Sequence, residues 1–440
     1  MSATRWHAAY AWLPGGLARN VTFEVEDGRF TSVTPGAEAG GARRLPGVVL
    51  PGLANAHSHA FHRALRGRTH DRGGDFWTWR ERMYGLARRL DPDGYLALAR
   101  ATYAEMALAG ITCVGEFHYL HHGPDGTPYD DRNAMGEALR QAAADAGIRL
   151  TLLDTLYLAG GLTARGHVPL EGPQRRYGDG DVESWAGRVA DLPPSPGTRV
   201  GVAVHSVRAV PREALAGVAE TAAGRPLHVH LSEQPAENEA CEGFYGLSPT
   251  GLLEAEGLLG PMTTAVHATH LLERDIAALG RARTTACLCP TTERDLADGI
   301  GPARALRDAG APLSLGSDQH AVIDLLEEAR ALEMHERLHT LRRGSFGPGD
   351  LLGAATAHDG LGWPDAGRLE PGARADLVAV RLDTPRTAGV APDQMVFAAT
   401  AADVDTVIVD GRVVVAEGRH VLGDVASLLS AAVESLWEHA

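Results

Sequence analysis

Hydrophobic and polar positions along the chain follow two regimes. Through the middle, short apolar and β-branched runs alternate with Ala/Leu/Glu/Arg-rich stretches such as Tyr95 to Leu108 and Leu325 to Arg342, whose composition and periodicity predict helices. Eight runs stand out: Gly47–Pro51, Ile111–Val114, Arg149–Leu153, Val200–Val204, Pro226–Val229, Thr263–Val266, Thr284–Leu288 and Ala311–Leu315. Strand and helix in alternation argue for a parallel sheet. Eight strands close a (β/α)8 barrel, although the same alternation also fits an open doubly wound sheet. The polar residues separate the two readings. His57 with His59, Glu116 with His118, His205, His230, His267 and Asp318 follow the apolar parts of six of these runs. In a barrel such C-terminal strand ends converge on one mouth, so the expected fold is an α/β (β/α)8 TIM barrel.

The two ends of the chain read differently, as short alternating strands with glycine turns. Asn20–Val25 runs into Glu26-Asp27-Gly28, and Thr406–Val409 turns at Asp410-Gly411 into Arg412–Val415. They predict a small β-sandwich domain formed by both chain ends, residues 1–48 and 369–424, beside a barrel over 49–368. A closing helix is expected within 425–440, over Ala426 to His439, and Leu192–Gly197 reads as a rigid linker.

Composition narrows the function classes. No apolar run approaches the ~20 residues that span a bilayer, and the first residues lack the basic start and apolar core of a secretion signal, so a cytoplasmic protein is expected. A net charge of −15 opposes a nucleic-acid surface, which needs clustered positive charge. The chain has no lysine, so all 41 basic residues of the Lys+Arg count are arginine. Schiff-base chemistry, a P-loop lysine and a carbamylated-lysine metal bridge are therefore excluded. The four cysteines are too few for a disulfide framework in 440 residues. Cys287 and Cys289 would share a strand face, yet without a second pair they read as core.

Neutral imidazoles and carboxylates bind zinc, and a catalytic site uses few enough of them to leave a position for water. His57 and His59, two residues apart on extended chain, present their rings on one face, though alone they would equally fit two loop histidines. His230-Leu231-Ser232-Glu233 adds a third imidazole and a carboxylate placed for proton transfer. Asp318, after the eighth run, adds a carboxylate that could bind the ion and take a proton from its water; helix N-capping is its plainer use. The cluster His118, His121 and His122 has irregular spacing and reads as solvent-facing loop histidines as readily as a second metal site, and His270 is expected outside the site.

With Leu50-Pro51-Gly52-Leu53-Ala54-Asn55-Ala56-His57-Ser58-His59, the His230/Glu233 pair, His267, Asp318 and Gly372–Val378, nearly the whole chain resembles the amidohydrolase superfamily in its mononuclear deaminase and chlorohydrolase branch. The resemblance implies one divalent metal ion, Zn2+ by default, held by His57, His59, His230 and Asp318, with Glu233, His267 and Asp318 as catalytic residues. Within the branch, Phe76–Tyr84, Glu116–Tyr119, Gln174–Arg176 and Val204–Arg208 are most similar to the formimidoylglutamate deiminase family. That likeness implies His62, Arg80, Tyr119, His205 and Arg208 as substrate-binding residues. It also implies a small dicarboxylate as substrate, ammonia as a product, and a homodimer. His62 departs from the pattern, since some members have glutamine after His-Ser-His-Ala-Phe. Two guanidinium forks suit a dicarboxylate better than a neutral purine. The alternatives carried forward are a deaminase acting on guanine or an adenosine derivative, and a non-catalytic metal-binding barrel.

Overall fold

The computed structural model describes residues 4–70, 76–193 and 195–437, the side chains of Phe76 and Trp77 excepted. Eight parallel strands form one sheet in sequence order: β1 (Leu53–Ser58), β2 (Ile111–His118), β3 (Arg149–Leu156), β4 (Thr198–Val204), β5 (Leu227–Leu231), β6 (Thr263–His267), β7 (Thr285–Leu288) and β8 (Leu313–Leu315). A parallel bridge between Ser58 and Asp318 joins the last strand's end to the first and closes the barrel. At that seam the Asp318 N–H donates to the His57 carbonyl at 3.0 Å and the His59 N–H donates to the Asp318 carbonyl at 3.1 Å. Strands such as β2 and β3 are buried at every position, being covered inside by barrel-filling side chains and outside by helices. That burial on both faces is why they read as continuous apolar runs. The helices expected from Tyr95 and Leu325 are Pro92–Leu108 and Leu325–Thr340, started by the caps Asp91 and Asp324.

The first run was misplaced. Gly47–Pro51 lies in the strand Arg43–Pro51, which belongs to the sheet of the chain ends, and the barrel opens instead with β1. The chain crosses between sheets at Gly52, where a Cβ would come within 2.2 Å of Thr112 Oγ1 and 2.8 Å of the Asp376 side chain. Small and polar residues in Leu53-Ala54-Asn55-Ala56-His57-Ser58 hide the strand from a hydrophobicity pattern, yet all six are buried.

The second sheet also has eight strands, in the order Arg419–His420, Arg412–Ala416, Val404–Val409, Leu377–Val380, Arg43–Pro51, Thr4–Leu13, Gly16–Glu26 and Arg29–Thr34. The two chain ends meet where Leu377–Val380 pairs antiparallel with Arg43–Pro51, Leu377 opposite Pro51 and Val380 opposite Val48. Strand alternation sorts its side chains between two cores. Val49, Leu377, Ala379 and Ile408 join Trp6, Phe23 and Phe30 in a core of this sheet's own, while Val48, Leu50, Val378, Val380 and Val407 pack into the barrel's core. Across the boundary, Arg149 of β3 reaches Asp376 through two contacts, the longer at 3.0 Å, and Asp410 at 3.1 Å. The closing helix, Val425–Trp437, packs on Pro92–Leu108, with the Trp437 indole donating to the Ala64 carbonyl at 3.2 Å. Positions 438 and 439 of the expected helix lie outside the described residues. Among the described residues no helix is long and apolar enough to cross a membrane.

Candidate metal centre and substrate pocket

His57 in β1, His59 just after it, His230 in β5, His267 closing β6 and Asp318 after β8 come together at one end of the barrel. The backbone bends sharply to aim several of these groups. Ser232, His267 and Asp318 have φ of 51°, 67° and 43°, in the left-handed region that residues with a Cβ seldom adopt. Strain of this kind persists where surrounding packing over-determines it.

His57, His59 and His230 bring donor atoms within 4.8 Å of one another, and Asp318 adds an oxygen close to His57 and His59. His57 Nε2 is 3.1 Å from His230 Nε2 and 3.2 Å from Asp318 Oδ1, and His59 Nε2 is 3.4 Å from the same oxygen. Zinc–ligand bonds of about 2.0–2.1 Å in a tetrahedron put neighbouring donors about 3.3 Å apart. The other face of two rings is already engaged: His59 Nδ1 donates to the Phe117 carbonyl at 2.9 Å and His230 Nδ1 to the His205 carbonyl at 2.8 Å. Their Nε2 lone pairs are therefore left pointing into the cluster. Burial, then the nearby His57, lowers the pKa of His59 to about 3, and burial drives His230 well below the ordinary histidine range. Burial alone would raise Asp318, but its hydrogen bond to His57 and the charges of His57, His267 and His59 hold it well below the usual carboxylate range. Neutral imidazoles around an ionised carboxylate, nearly all acceptors, fit a divalent cation.

Glu116 grips the His-x-His turn from behind. It accepts the Ser58 hydroxyl and the Ala60 N–H, both at 2.6 Å, and burial pushes its pKa up to about 7. Asn55 and Ser317 tie the first strand to the turn after β8 by bonds of 2.7 and 2.9 Å. The sequence marked Glu116 as a strand-end polar residue without this role. No motif announces a partner contributed by the neighbouring strand.

A cavity of about 410 Å³ opens over the cluster. It brings together all five residues expected to bind substrate, His62, Arg80, Tyr119, His205 and Arg208, with Glu233, His267 and Asp318. His62 Nε2 pairs with the Tyr119 hydroxyl at 2.9 Å, and its ring lies 4.6 Å from that of His59. Glu233 has Arg208 Nη2 at 3.4 Å on one oxygen and His267 Nε2 at 3.7 Å on the other. Burial opposes a charge on His267, but Glu233, Glu293 and Asp318 hold its pKa well above the ordinary value, with Nδ1 3.5 Å from Glu293 Oε1. Sequence reasoning missed Glu293, Glu237 and the ring wall of Tyr84, Tyr157 and Tyr177. Each comes from a helix or loop whose position only the fold supplies.

Other expectations resolve differently. His118, His121 and His122 do not face solvent; all three are buried. His121 bonds His118 at 3.3 Å and the Thr155 carbonyl at 2.9 Å, and His122 bonds Asp179 at 3.1 Å. Among the described residues, the carboxylate that groups with His118 and His121, Asp154, has both oxygens on Arg188 at 2.7 and 2.8 Å. Arg176 is equally structural, donating to the His122 and Leu90 carbonyls at 2.8 and 2.6 Å. His270 bonds the Asp298 carbonyl at 2.8 Å and, among the described residues, joins none of the candidate metal groups. Cys287 and Cys289 are free thiols in a buried apolar cluster.

A parallel barrel that gathers imidazoles and a carboxylate from different strands onto one rim belongs to the class of hydrolases built around a divalent metal site. Residues 48–414 match the amidohydrolase family along their whole length, and on that match the chain belongs to the amidohydrolase family, as a hydrolase of C–N bonds. Residues 4–47 match the N-terminal domain of the formimidoylglutamate deiminase HutF. Among curated relatives, the formimidoylglutamate deiminase of Pseudomonas aeruginosa is 39% identical, the alignment covering 94% of this chain and 95% of the relative. An 8-oxoguanine deaminase of the same organism is 31% identical, over 87% of this chain and 85% of its own. Among solved structures, an amidohydrolase from Brucella melitensis superposes with a TM-score of 0.91 at 33% identity, covering 98% of this chain and 99% of that one.

Proposed function

We propose that the chain hydrolyses N-formimidoyl-L-glutamate to N-formyl-L-glutamate and ammonia. One observation carries the choice of substrate: Arg80 and Arg208 line the same cavity as Glu233 and the donor cluster, two guanidinium groups for a molecule with two carboxylates. The likeness to the Pseudomonas aeruginosa formimidoylglutamate deiminase supports the same reading.

His57, His59, His230 and Asp318 are the residues that would hold the ion, zinc by its preference for imidazole nitrogen. Such an ion lowers the pKa of water from about 15.7 towards about 7 and so supplies a nucleophile at neutral pH. Asp318 accepts the proton that the attacking water sheds. Glu233, at the junction of Arg208 and His267, delivers a proton to the imino nitrogen, and the water's second proton follows as its hydroxyl becomes the formyl carbonyl, so the C–N bond breaks with release of ammonia while the proton held by Asp318 restores Glu233. His267, held positive by its carboxylate neighbours, stabilises the oxygen charge that develops on the formimidoyl carbon. Tyr119, His62 and His205 shape the wall against which the amidine lies.

Ammonia release measured on N-formimidoyl-L-glutamate, with metal analysis of the same sample, tests the proposal directly. The variant Glu233→Gln is expected to keep its metal and lose about 10²–10⁴-fold in turnover. Full activity in that variant would remove the proton-transfer role. Ammonia from guanine or an adenosine derivative, with none from N-formimidoyl-L-glutamate, would replace the substrate.

A further inference from the structure

Glu237, in the first turn of the helix Pro235–Tyr245, is 1% exposed and lines the cavity. Its Oε2 lies 3.4 Å from Arg208 Nε, and the Ser232 backbone faces its carboxyl, though among the described residues no close hydrogen bond reaches either oxygen. Buried carboxylates elsewhere in this chain are held quite differently. Glu333 accepts the N–H groups of Gly344 and Phe346 at 2.7 Å each, and Glu328 accepts the Thr291 N–H at 2.9 Å. Burying a carboxylate with so few close donors is costly. Its charged neighbour is one edge of Arg208, whose Nη2 faces Glu233 at 3.4 Å. Burial pushes the Glu237 carboxyl up to about 7 against the pull of Arg208, which places it among the perturbed groups that gather at functional sites.

We propose that Glu237 is a positioning residue for carboxylate recognition: it holds Arg208 by its Nε edge, so that the guanidinium stays aimed into the cavity and is not captured by Glu233. This rests on the reading of Arg208 as a carboxylate-binding residue. Without Glu237, Glu233 is the other carboxylate that the described residues bring to the arginine in the cavity. An incoming carboxylate must then break that pair before it can bind. Once substrate is seated, its own carboxylate orients Arg208, and Glu237 matters less. The expected signature is therefore a loss of affinity with turnover at saturation preserved.

The experiment measures binding of glutarate, a five-carbon dicarboxylate that cannot react, to the metal-loaded protein by calorimetry, alongside steady-state kinetics on N-formimidoyl-L-glutamate. Glu237→Gln is expected to weaken glutarate at least tenfold and to raise KM similarly, with kcat within threefold and metal content unchanged. In a background already carrying Arg208→Gln, the same substitution is expected to add nothing. Glu237→Asp, which keeps the charge but draws it back by one methylene, is expected to fall between the two and serves if Glu237→Gln does not fold. Glutarate binding unchanged or tighter in Glu237→Gln, as simple removal of a negative charge would give, overturns the proposal. So does an effect that persists without Arg208, or one that falls on kcat alone. If the unaltered protein binds glutarate but releases no ammonia from N-formimidoyl-L-glutamate, the substrate assignment fails while the binding comparison still decides the role of Glu237. If it binds no dicarboxylate, both fall.

Discussion

Glu116 shows how much of this site depends on residues that never touch a substrate. By accepting the Ser58 hydroxyl and the Ala60 N–H it fixes the turn that carries His57 and His59. A glutamine there has only one oxygen to accept with, so one of the two bonds is lost. Glu116→Gln is expected to weaken metal binding about 10–100-fold, the usual cost of losing a partner that orients a ligand, with little change in fold. Competition with a chromophoric chelator reads the affinity, and an unchanged value would show that the turn holds its shape unaided. The candidate ligands themselves were legible in the sequence because each had to sit at a strand end and be of a metal-binding type. Glu237 and Glu293 were not, and Glu116 was legible only as a polar residue at a strand end. A carboxylate that serves a neighbour is recognised only by the neighbour, and Glu237 and Arg208 are brought together from a helix start and a loop on different strands.

At the scale of elements, seven of the eight predicted runs are barrel strands, because burial on both faces leaves an unbroken apolar signature in the chain. The exception is instructive. β1 must carry Asn55, His57 and Ser58 and must lie against close neighbours, so its apolar content is low, and the stronger pattern just before it belongs to another sheet. Close packing at this strand extends to Gly316, at the end of β8. A Cβ there would meet the His57 side chain at 2.7 Å and both the His57 carbonyl and Cys289 Sγ at 2.9 Å. Gly316→Ala must push β1 and β7 apart, at about 1–3 kcal/mol for overpacking. The expected outcome is a lower melting temperature together with reduced metal content, read by calorimetry and elemental analysis on one preparation. Loss of stability with full metal content would mean that the strain is relieved away from His57.

For the whole molecule, the terminal sheet was legible from its alternating ends, but its attachment to the barrel was not. That attachment depends on which face of each strand meets which core, and on Arg149 and Asp376, which lie far apart in sequence. Asp376 takes the Arg149 guanidinium and also accepts the Asp410 N–H at 3.0 Å. Burial opposes the Asp376 charge, but Arg149 holds its carboxyl below the usual range. Removing that charge by Asp376→Asn leaves Arg149, 1% exposed, to lean on Asp410 alone. The expected cost is about 3 kcal/mol, seen as a lower urea midpoint, because one member of a buried pair is left behind. A midpoint that does not move would show that the sheet docks through its apolar face.

The barrel seam has a consequence in time as well as in space. Its backbone bonds are made by His57, His59 and Asp318, the same residues whose side chains form the donor cluster. Beside them, 262 positions separate Asn55 from its partner Ser317. As the chain leaves the ribosome, the first two imidazoles emerge long before the carboxylate that completes their set. Contacts of such long sequence separation form late. The donor cluster is therefore completed by the closing of the barrel, and a partly synthesised chain lacks Asp318, the residue that closes both.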